Sequence, residues 1–326
     1  MRAAVVDRYG PPSVIRVREV PDPAPGRGEV LVRVTAASVN SGDARIRAAR
    51  FPSGMGVGAR LALGIRGPRG AVLGVAYAGV VEALGPGAGP GADPGAGPGI
   101  SVGDRIAGMT GMRMGAHAEL AVVPAARAVP IPEGVSDADA VGSIFGGTTA
   151  LYFLRDRAKL ASGQTVLVNG AAGSVGSAAV QLARGLGAHV TAVTRSANAD
   201  LVRRLGAERT IDYTRTPLDT LDERFDVVFD TVGNVDIAGG RRLLAPGGAL
   251  LLAVAGLGQM LRARGAVHAG TSPERPEDIA HLLALVATGS FDPLVDIVGG
   301  LDAVALAHER IDSGHKTGNL VVQPQA

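Results

Sequence analysis

Hydrophobic and polar positions divide the chain into three stretches of different rhythm. Up to about residue 127, short apolar runs alternate with Gly and Pro: Ala3 to Asp7, Val14 to Val20, Val30 to Ala37, Val72 to Leu84 and His117 to Val123. Such runs predict the strands of a compact, barrel-like β-rich domain. From Ser136 the rhythm becomes helical. Ser136 and Asp139 form a loose capping pattern, and two helices are expected around Gly146-Gly147-Thr148-Thr149, the second ending near Lys159. Strands and helices then alternate: Val166 to Val168, a helix through Val175, Leu182 and Leu186, a strand from His189 to Thr194, and a helix stopping at Gly206. Further strands follow near Ile211, at Phe225 to Phe229 and at Ala249 to Val254, the last after the turn Pro246-Gly247-Gly248. This alternation predicts a doubly wound parallel sheet. The tail reads helix (Pro276 to Thr288), strand (Leu294 to Val298), helix (Leu301 to Ile311) and strand (Leu320 to Val322), and is expected to return to the first domain. Domains are therefore expected at 1–127, 128–271 and 272–326, the last completing the first.

The chemistry concentrates in TVLVNGAAGSVGSAAVQLARGL, Thr165 to Leu186. A β-branched run, a glycine turn and a helical repeat open a βαβ unit, the context that turns a weak motif into a dinucleotide site. Gly173 and Gly176 hold the last two positions of GxGxxG, and Ala171, flanked by Gly170, replaces the first. Gly173 lets the backbone approach a pyrophosphate, and Gly176 lets helix and strand pack closely. The first amides of the helix then face the anion. A tight turn in another α/β protein, or a site for a methyl donor, would show the same glycines. At the end of the second strand, where NAD sites place an acid for the ribose 2′-hydroxyl, stand Arg195 and Ser196. A cation and a hydroxyl suit a 2′-phosphate, so NADPH is the expected cofactor.

Composition narrows the alternatives. Cysteine is absent, which excludes disulfides, thiolate zinc sites and cysteine nucleophiles, and suits a cytoplasmic protein. The formal charge is +2 with basic residues dispersed, so no nucleic-acid stripe stands out. With four Tyr, six Phe and no Trp, a base-stacking platform lacks material. No signal peptide or membrane span is expected, and a small-molecule substrate is. His117, His189, His268, His281, His308 and His315 show no metal-ligand spacing. Gly85 to Gly99, GPGAGPGADPGAGPG, reads as a mobile surface loop. Ala37 to Arg45, ASVNSGDAR, also reads as a loop on spacing alone.

Taken in order, YGPPSVIRVREVPDP, ASVNSGDARIR, LGVAYAGVVEALG, VGDRIAG, GAHAELAVVP, GGTTALYFL, NGAAGSVG, LGAERTIDY, DVVFDTVG and SGHKTGNLVV span almost the whole chain. On these motifs the sequence resembles the zinc-independent medium-chain dehydrogenases/reductases of the quinone oxidoreductase, zeta-crystallin-like type. The resemblance implies a GroES-like catalytic domain split around a Rossmann domain, with NADPH in the cleft between them. Zinc-dependent relatives place Cys, His and Cys where this chain has Asn40, Val75 and Phe145, so no metal is expected. It implies hydride transfer to a quinone or an enone, with the oxyanion held by hydrogen bonds.

By position, the resemblance makes Asn40 the leading oxyanion donor and Asp43 an acid of the same loop. Tyr77 and Tyr152 are candidate proton sources, a role tyrosine can take, with ordinary packing as the alternative. It puts Thr148 and Thr149 near the nicotinamide, Gly170, Ala171, Ala172, Gly173, Ser174, Val175 and Gly176 at the pyrophosphate, and Tyr213 beside Arg195 and Ser196 at the 2′-phosphate. Val232, Gly233, Ala255 and Gly256 would line the nicotinamide side, and Lys316 and Asn319 a segment closing on the cofactor. Asn198 stands where a lysine is common, and Ala76 where an acid is usual. Relatives also imply a homodimer, with Ala249 to Ala255 as the pairing edge strand. An enoyl reductase dedicated to one biosynthetic pathway, and a non-catalytic NADPH-binding scaffold or redox sensor, remain alternative readings of the same motifs.

Overall fold

The computed structural model describes residues 1–90 and 99–326; the middle of the Gly/Pro-rich stretch expected to be a loop, residues 91–98, lies outside the described residues. In chain order the strands are β1 (Arg2–Val5), β2 (Arg16–Glu19), β3 (Glu29–Val39), β4 (Ala76–Leu84), β5 (Arg105–Met109), β6 (Leu120–Pro124), β7 (Val129–Pro130), β8 (Thr165–Asn169), β9 (His189–Thr194), β10 (Arg209–Asp212), β11 (Phe225–Asp230), β12 (Leu244–Leu252), β13 (Val267–Ala269), β14 (Val295–Gly299) and β15 (Asn319–Val322). The helices are α1 (Ser41–Ala48), α2 (Gly56–Leu63), α3 (Asp137–Leu151), α4 (Ser174–Gly185), α5 (Ala199–Leu205), α6 (Ile237–Arg242), α7 (Leu257–Arg262), α8 (Pro276–Ala287) and α9 (Val304–Asp312). Two compact units result: Met1–Phe51 with Gly56–Phe145 and Glu274–Ala326, and Pro52–Met55 with Gly146–Pro273.

The first unit carries a sheet in the order β14-β15-β3-β4-β5-β7, with β6 also paired to β3. The tail contributes to this sheet: β15 pairs antiparallel with β3, Leu320 opposite Val39 and Val322 opposite Ala37. Val30, Val32 and Val34 alternate inward on β3 and join Ile106, Val123, Leu301 and Leu320 in the core. The segment from Ala37 to Arg45 departs from the loop expectation, because α1 starts within it. Asn40 Oδ1 accepts from the amides of Gly42 (2.8 Å) and Asp43 (3.1 Å), and Asp43 Oδ2 accepts from the Asn40 amide (3.0 Å). This reciprocal capping box outweighs the turn preference of Asn, Ser, Gly and Asp.

The second unit carries a parallel sheet ordered β10-β9-β8-β11-β12-β13. Chain order reverses between β8 and β11, which makes that gap the switch point of a doubly wound sheet. Helix α5 ends at Gly206 in the left-handed region (φ 118°), where the sequence places its stop. One helix, α3, runs straight through Gly146-Gly147-Thr148-Thr149 where two were expected. A Cβ on Gly146 would lie 2.4 Å from the Ser174 carbonyl oxygen, so glycine there allows close helix packing. The expected edge strand is also corrected. β12 is hydrogen-bonded on one side to β11 and on the other to β13, which leaves β13 at the edge. Among the described residues no helix is long and apolar enough to cross a membrane.

Candidate functional site

At the switch point β8 ends in Asn169 and the chain turns through Gly170, whose φ of +82° belongs to the left-handed region. A Cβ at Gly170 would meet Val232 Cγ2 at 2.6 Å and Thr231 Oγ1 at 2.7 Å, so the turn also needs the missing side chain. Ala171 and Ala172 are buried beneath it. Gly173 then stands at the N-cap of α4 and, having no side chain, supplies no cap of its own. First-turn amides have no acceptor within their own helix, so those of Val175 and Gly176 point outward, as an anion requires. A Cβ on Gly176 would lie 2.1 Å from the Gly170 carbonyl oxygen, which is the close helix–strand approach its place in the motif demands.

Around this turn the structure gathers polar groups that the motif does not show. Asn169 Nδ2 donates to Asp230 Oδ1 (2.9 Å) and to Asn234 Oδ1 (2.7 Å), joining the ends of β8 and β11. Asp230 is fully buried, and its carboxylate accepts from the amides of Val232 (3.0 Å), Gly233 (3.1 Å) and Val235 (3.1 Å). One buried acid thus shapes the Val232-Gly233 loop expected beside the nicotinamide. The only signal for it in the sequence is a lone Asp at a strand end. A cavity of about 410 Å³ opens alongside, lined by Asn169, Tyr213, Leu218, Asn234, Asp236 and Arg242 among others.

Arg195, Ser196 and Tyr213 also meet in this unit. Arg195 Nε donates to the Tyr213 hydroxyl (2.6 Å), with its guanidinium carbon 5.9 Å from the centre of the ring. That bond leaves the two terminal amino groups of Arg195 for other partners. Ser196 donates its amide (3.0 Å) and its hydroxyl to Asp212 Oδ2. Thr148 is buried in α3, and Thr149 Oγ1 lies 3.4 Å from Ser272 Oγ. Ala255 is buried ahead of α7, and Gly256 caps that helix, its amide donating to Gln259 Oε1 (3.1 Å).

Within the first unit, Asn40 follows the end of β3 as the cap of α1, Asn319 opens β15 and Tyr77 lies on β4. The register of β15 on β3 puts Asn319 next to Asn40, and Tyr77 on β4 lies opposite Ala37. Asn319 Nδ2 donates to the Pro293 carbonyl (2.6 Å). With Oδ1 of Asn40 committed to the cap, its Nδ2 is buried and has no protein acceptor. Asp43 is completely buried, which pushes its carboxyl above the usual range, opposed by His117 and by the amides of Asn40, Gly74 and Val75. Its Oδ2 lies 4.0 Å from His117 Nε2, which donates to the Ser38 carbonyl (3.0 Å). Burial likewise pushes the Tyr77 hydroxyl up, and that fully buried group finds no hydrogen-bond partner among the described residues. Lys316 donates to the Gly318 carbonyl (2.6 Å), and burial reinforced by the Arg310 charge brings it down to about 8.

Of the three positions where zinc-dependent relatives carry ligands, two are apolar in this chain. Val75 and Phe145 pack on one apolar cluster with Ala76, Met109 and Ile144, and the carbonyl oxygen of Asn40 caps a helix. A valine and a phenylalanine offer zinc no donor atom. Among the described residues no group of three His, Asp or Glu could hold a metal ion elsewhere.

A parallel sheet of this order with a glycine turn at its switch point defines a nucleotide-binding fold of the dehydrogenase class. The chain also matches the "Alcohol dehydrogenase GroES-like domain" family over residues 26–133 and the "Zinc-binding dehydrogenase" family over residues 205–322. It is 31% identical to a quinone oxidoreductase of Pseudomonas aeruginosa over an alignment covering 97% of each chain. The solved quinone oxidoreductase of Coxiella burnetii superposes with a TM-score of 0.86 at 26% identity, covering 99% of both chains. A mycobacterial protein solved in complex with NADPH superposes with a TM-score of 0.79 at 28% identity, over 99% of this chain and all of that one. A second relative, a mycocerosic acid synthase-like polyketide synthase of Mycobacterium tuberculosis, is 34% identical over 231 residues, 69% of this chain but about a tenth of that much longer protein. The chain belongs to the quinone oxidoreductase family of medium-chain dehydrogenases/reductases, and is an oxidoreductase of that type.

Proposed function

We propose that this protein is an NADPH-dependent, zinc-independent reductase that transfers a hydride to a quinone or to an α,β-unsaturated carbonyl compound. The observation that carries the reading is Arg195 at the end of β9, bonded through Nε to Tyr213, with its terminal amino groups left for an anion where an NAD site would hold a carboxylate. The NADPH-bound mycobacterial neighbour supports the same cofactor.

The glycine turn and the first-turn amides of α4 hold the pyrophosphate, and the cavity beside Tyr213 takes the adenosine end. Thr148, Thr149, Val232, Gly233, Ala255 and Gly256 form the nicotinamide side, and Lys316 and Asn319 the closing segment. NADPH, when bound, supplies the hydride. The chain's own task is orientation and stabilisation of charge. Asn40 Nδ2, unclaimed by the protein, donates to the substrate oxygen as negative charge develops there. Asp43 holds the Asn40 backbone amide and so positions that donor, while Tyr77 is a buried member of the core of the same unit. The substrate takes up one hydride and one proton, the proton coming from solvent.

The similarity to a polyketide synthase favours a second reading with the same chemistry, an enoyl reductase dedicated to one biosynthetic sequence. We propose a homodimer, paired through the β13 edge. Arg195→Ala tests the cofactor assignment: it should weaken NADPH by roughly ten-fold or more and NADH little, since hydrogen bonds to charged groups contribute about 1.5–3 kcal/mol. Equal losses for both cofactors would remove the 2′-phosphate role.

A further inference from the structure

We propose that Asp212, at the end of β10, is the positioning residue that makes this crevice select a 2′-phosphate over a ribose 2′-hydroxyl; the inference rests on the NADPH reading above. Its carboxylate is filled from two directions. Oδ2 accepts the amide (3.0 Å) and the hydroxyl of Ser196 from the end of β9, and Oδ1 accepts the amide (2.9 Å) and hydroxyl (2.7 Å) of Thr214 from the following turn. The Asp212 carbonyl also accepts from the amides of Arg215 (3.0 Å) and Thr216 (2.8 Å). Arg195 and Tyr213 are the chain neighbours of the residues so tied, and they meet each other at 2.6 Å. One side chain therefore fixes both halves of the cation–phenol pair.

Two consequences for ligand choice follow from the bonding. The four donors to Asp212 are neutral amides and hydroxyls, so the carboxylate does not use the Arg195 charge, which stays available to an incoming dianion. These bonds hold Asp212 well below the usual carboxylate range, so it stays ionised and keeps its grip. A ribose 2′-hydroxyl, in contrast, needs an acceptor, and the acceptor sites of this acid are taken. Ser196 gives its hydroxyl proton to Asp212, so toward a ligand it presents lone pairs. Phosphate recognition is thereby left to Arg195 and Tyr213.

The test is direct titration of the full chain with NADPH, NADH, 2′,5′-ADP and 5′-AMP, by fluorescence or calorimetry, for wild type, Asp212→Ala, Asp212→Asn, Thr214→Val and Arg195→Ala. Both Asp212 variants should lose roughly ten-fold in NADPH and 2′,5′-ADP affinity with NADH and 5′-AMP changed little, and Thr214→Val should lose less. The asparagine variant is the sharper case, because its NH2 group faces donors that an oxygen used to satisfy. Unchanged or tighter NADPH binding by Asp212→Asn would show an acid that merely repels phosphate, and equal loss of all four ligands would show general loosening; either overturns the inference. If Arg195→Ala shifts the NADPH-to-NADH ratio while the Asp212 variants do not, only this inference fails. If Arg195→Ala leaves that ratio unchanged, the 2′-phosphate reading itself fails.

Discussion

Two glycines three residues apart in the same turn should respond to the same methyl group in opposite ways. A Cβ on Gly176 would lie 2.1 Å from the Gly170 carbonyl oxygen, 2.7 Å from its carbonyl carbon and 2.8 Å from Ala171 Cα. All three are backbone atoms that cannot rotate aside. Ordinary contacts of a Cβ begin at about 3.4 Å, so the start of α4 must back away by about 1.3 Å. Overpacking of this kind costs about 1–3 kcal/mol, and it also moves the first-turn amides away from their anion. At Gly173 the nearest atom to a Cβ is the Gly170 oxygen at 3.5 Å, and φ is −79°, open to any residue. Gly173→Ala should therefore leave folding within about 0.5 kcal/mol of wild type. Its methyl instead stands where the pyrophosphate approaches, so NADPH affinity should fall roughly ten-fold or more. Denaturant unfolding of the apo protein, paired with NADPH fluorescence titration, separates the two effects. Gly176→Ala as stable as wild type, or Gly173→Ala binding NADPH normally, would refute the account of this turn.

Other consequences lie elsewhere in the fold. His308 is fully buried in α9, and burial, with the charges of His117 and Arg47 adding to it, brings its pKa down to about 2 from 6.5. A base whose pKa is lowered on folding stabilises the fold fully above pH 6.5, and that stability is lost as pH falls. Two units lower, at pH 4.5, this amounts to about 2.7 kcal/mol. His308→Gln should flatten the acid limb of the unfolding free energy by about 1.4 kcal/mol per pH unit, and an unchanged slope would contradict the buried neutral imidazole. Sedimentation at micromolar concentration should show a dimer, and a charged substitution facing along the β13 edge should yield monomer; monomer for the wild type would count against edge pairing.

The nucleotide-binding half was largely legible because each of its signals is local. The β-branched run before Gly170, the helical spacing after Gly176 and the stop at Gly206 need no knowledge of distant residues, and all three lie where the pattern places them. The helix at Ser41 was missed although its capping box lies within four residues, because Asn, Ser, Gly and Asp fit a turn equally well until both reciprocal bonds are seen. The break expected at Gly146-Gly147 does not occur, because those glycines serve packing against Ser174 rather than a turn. The bonding roles of Asn169, Asp212 and Asp230 are not written in the sequence pattern for another reason. Asn169 meets Asp230 and Asn234, and Asp212 meets Ser196, only through parallel pairing of strands distant in sequence, while the amides that Asp230 gathers from the loop after it leave no mark in the hydrophobic pattern. The inner position of β12 could not be read either, since strand order is set by crossovers that the local pattern does not record.

Hydride transfer to an activated double bond or quinone without a metal can be checked in one side-by-side assay. NADPH oxidation would be followed with a short-chain enone, a simple quinone and a matched saturated aldehyde, each with EDTA present. Turnover of the enone or the quinone, unaffected by the chelator, with none of the aldehyde is the predicted result. Turnover of the aldehyde alone, or activity lost to EDTA and restored by zinc, would contradict it, and silence on all three would favour a narrow pathway enzyme or a non-catalytic NADPH binder.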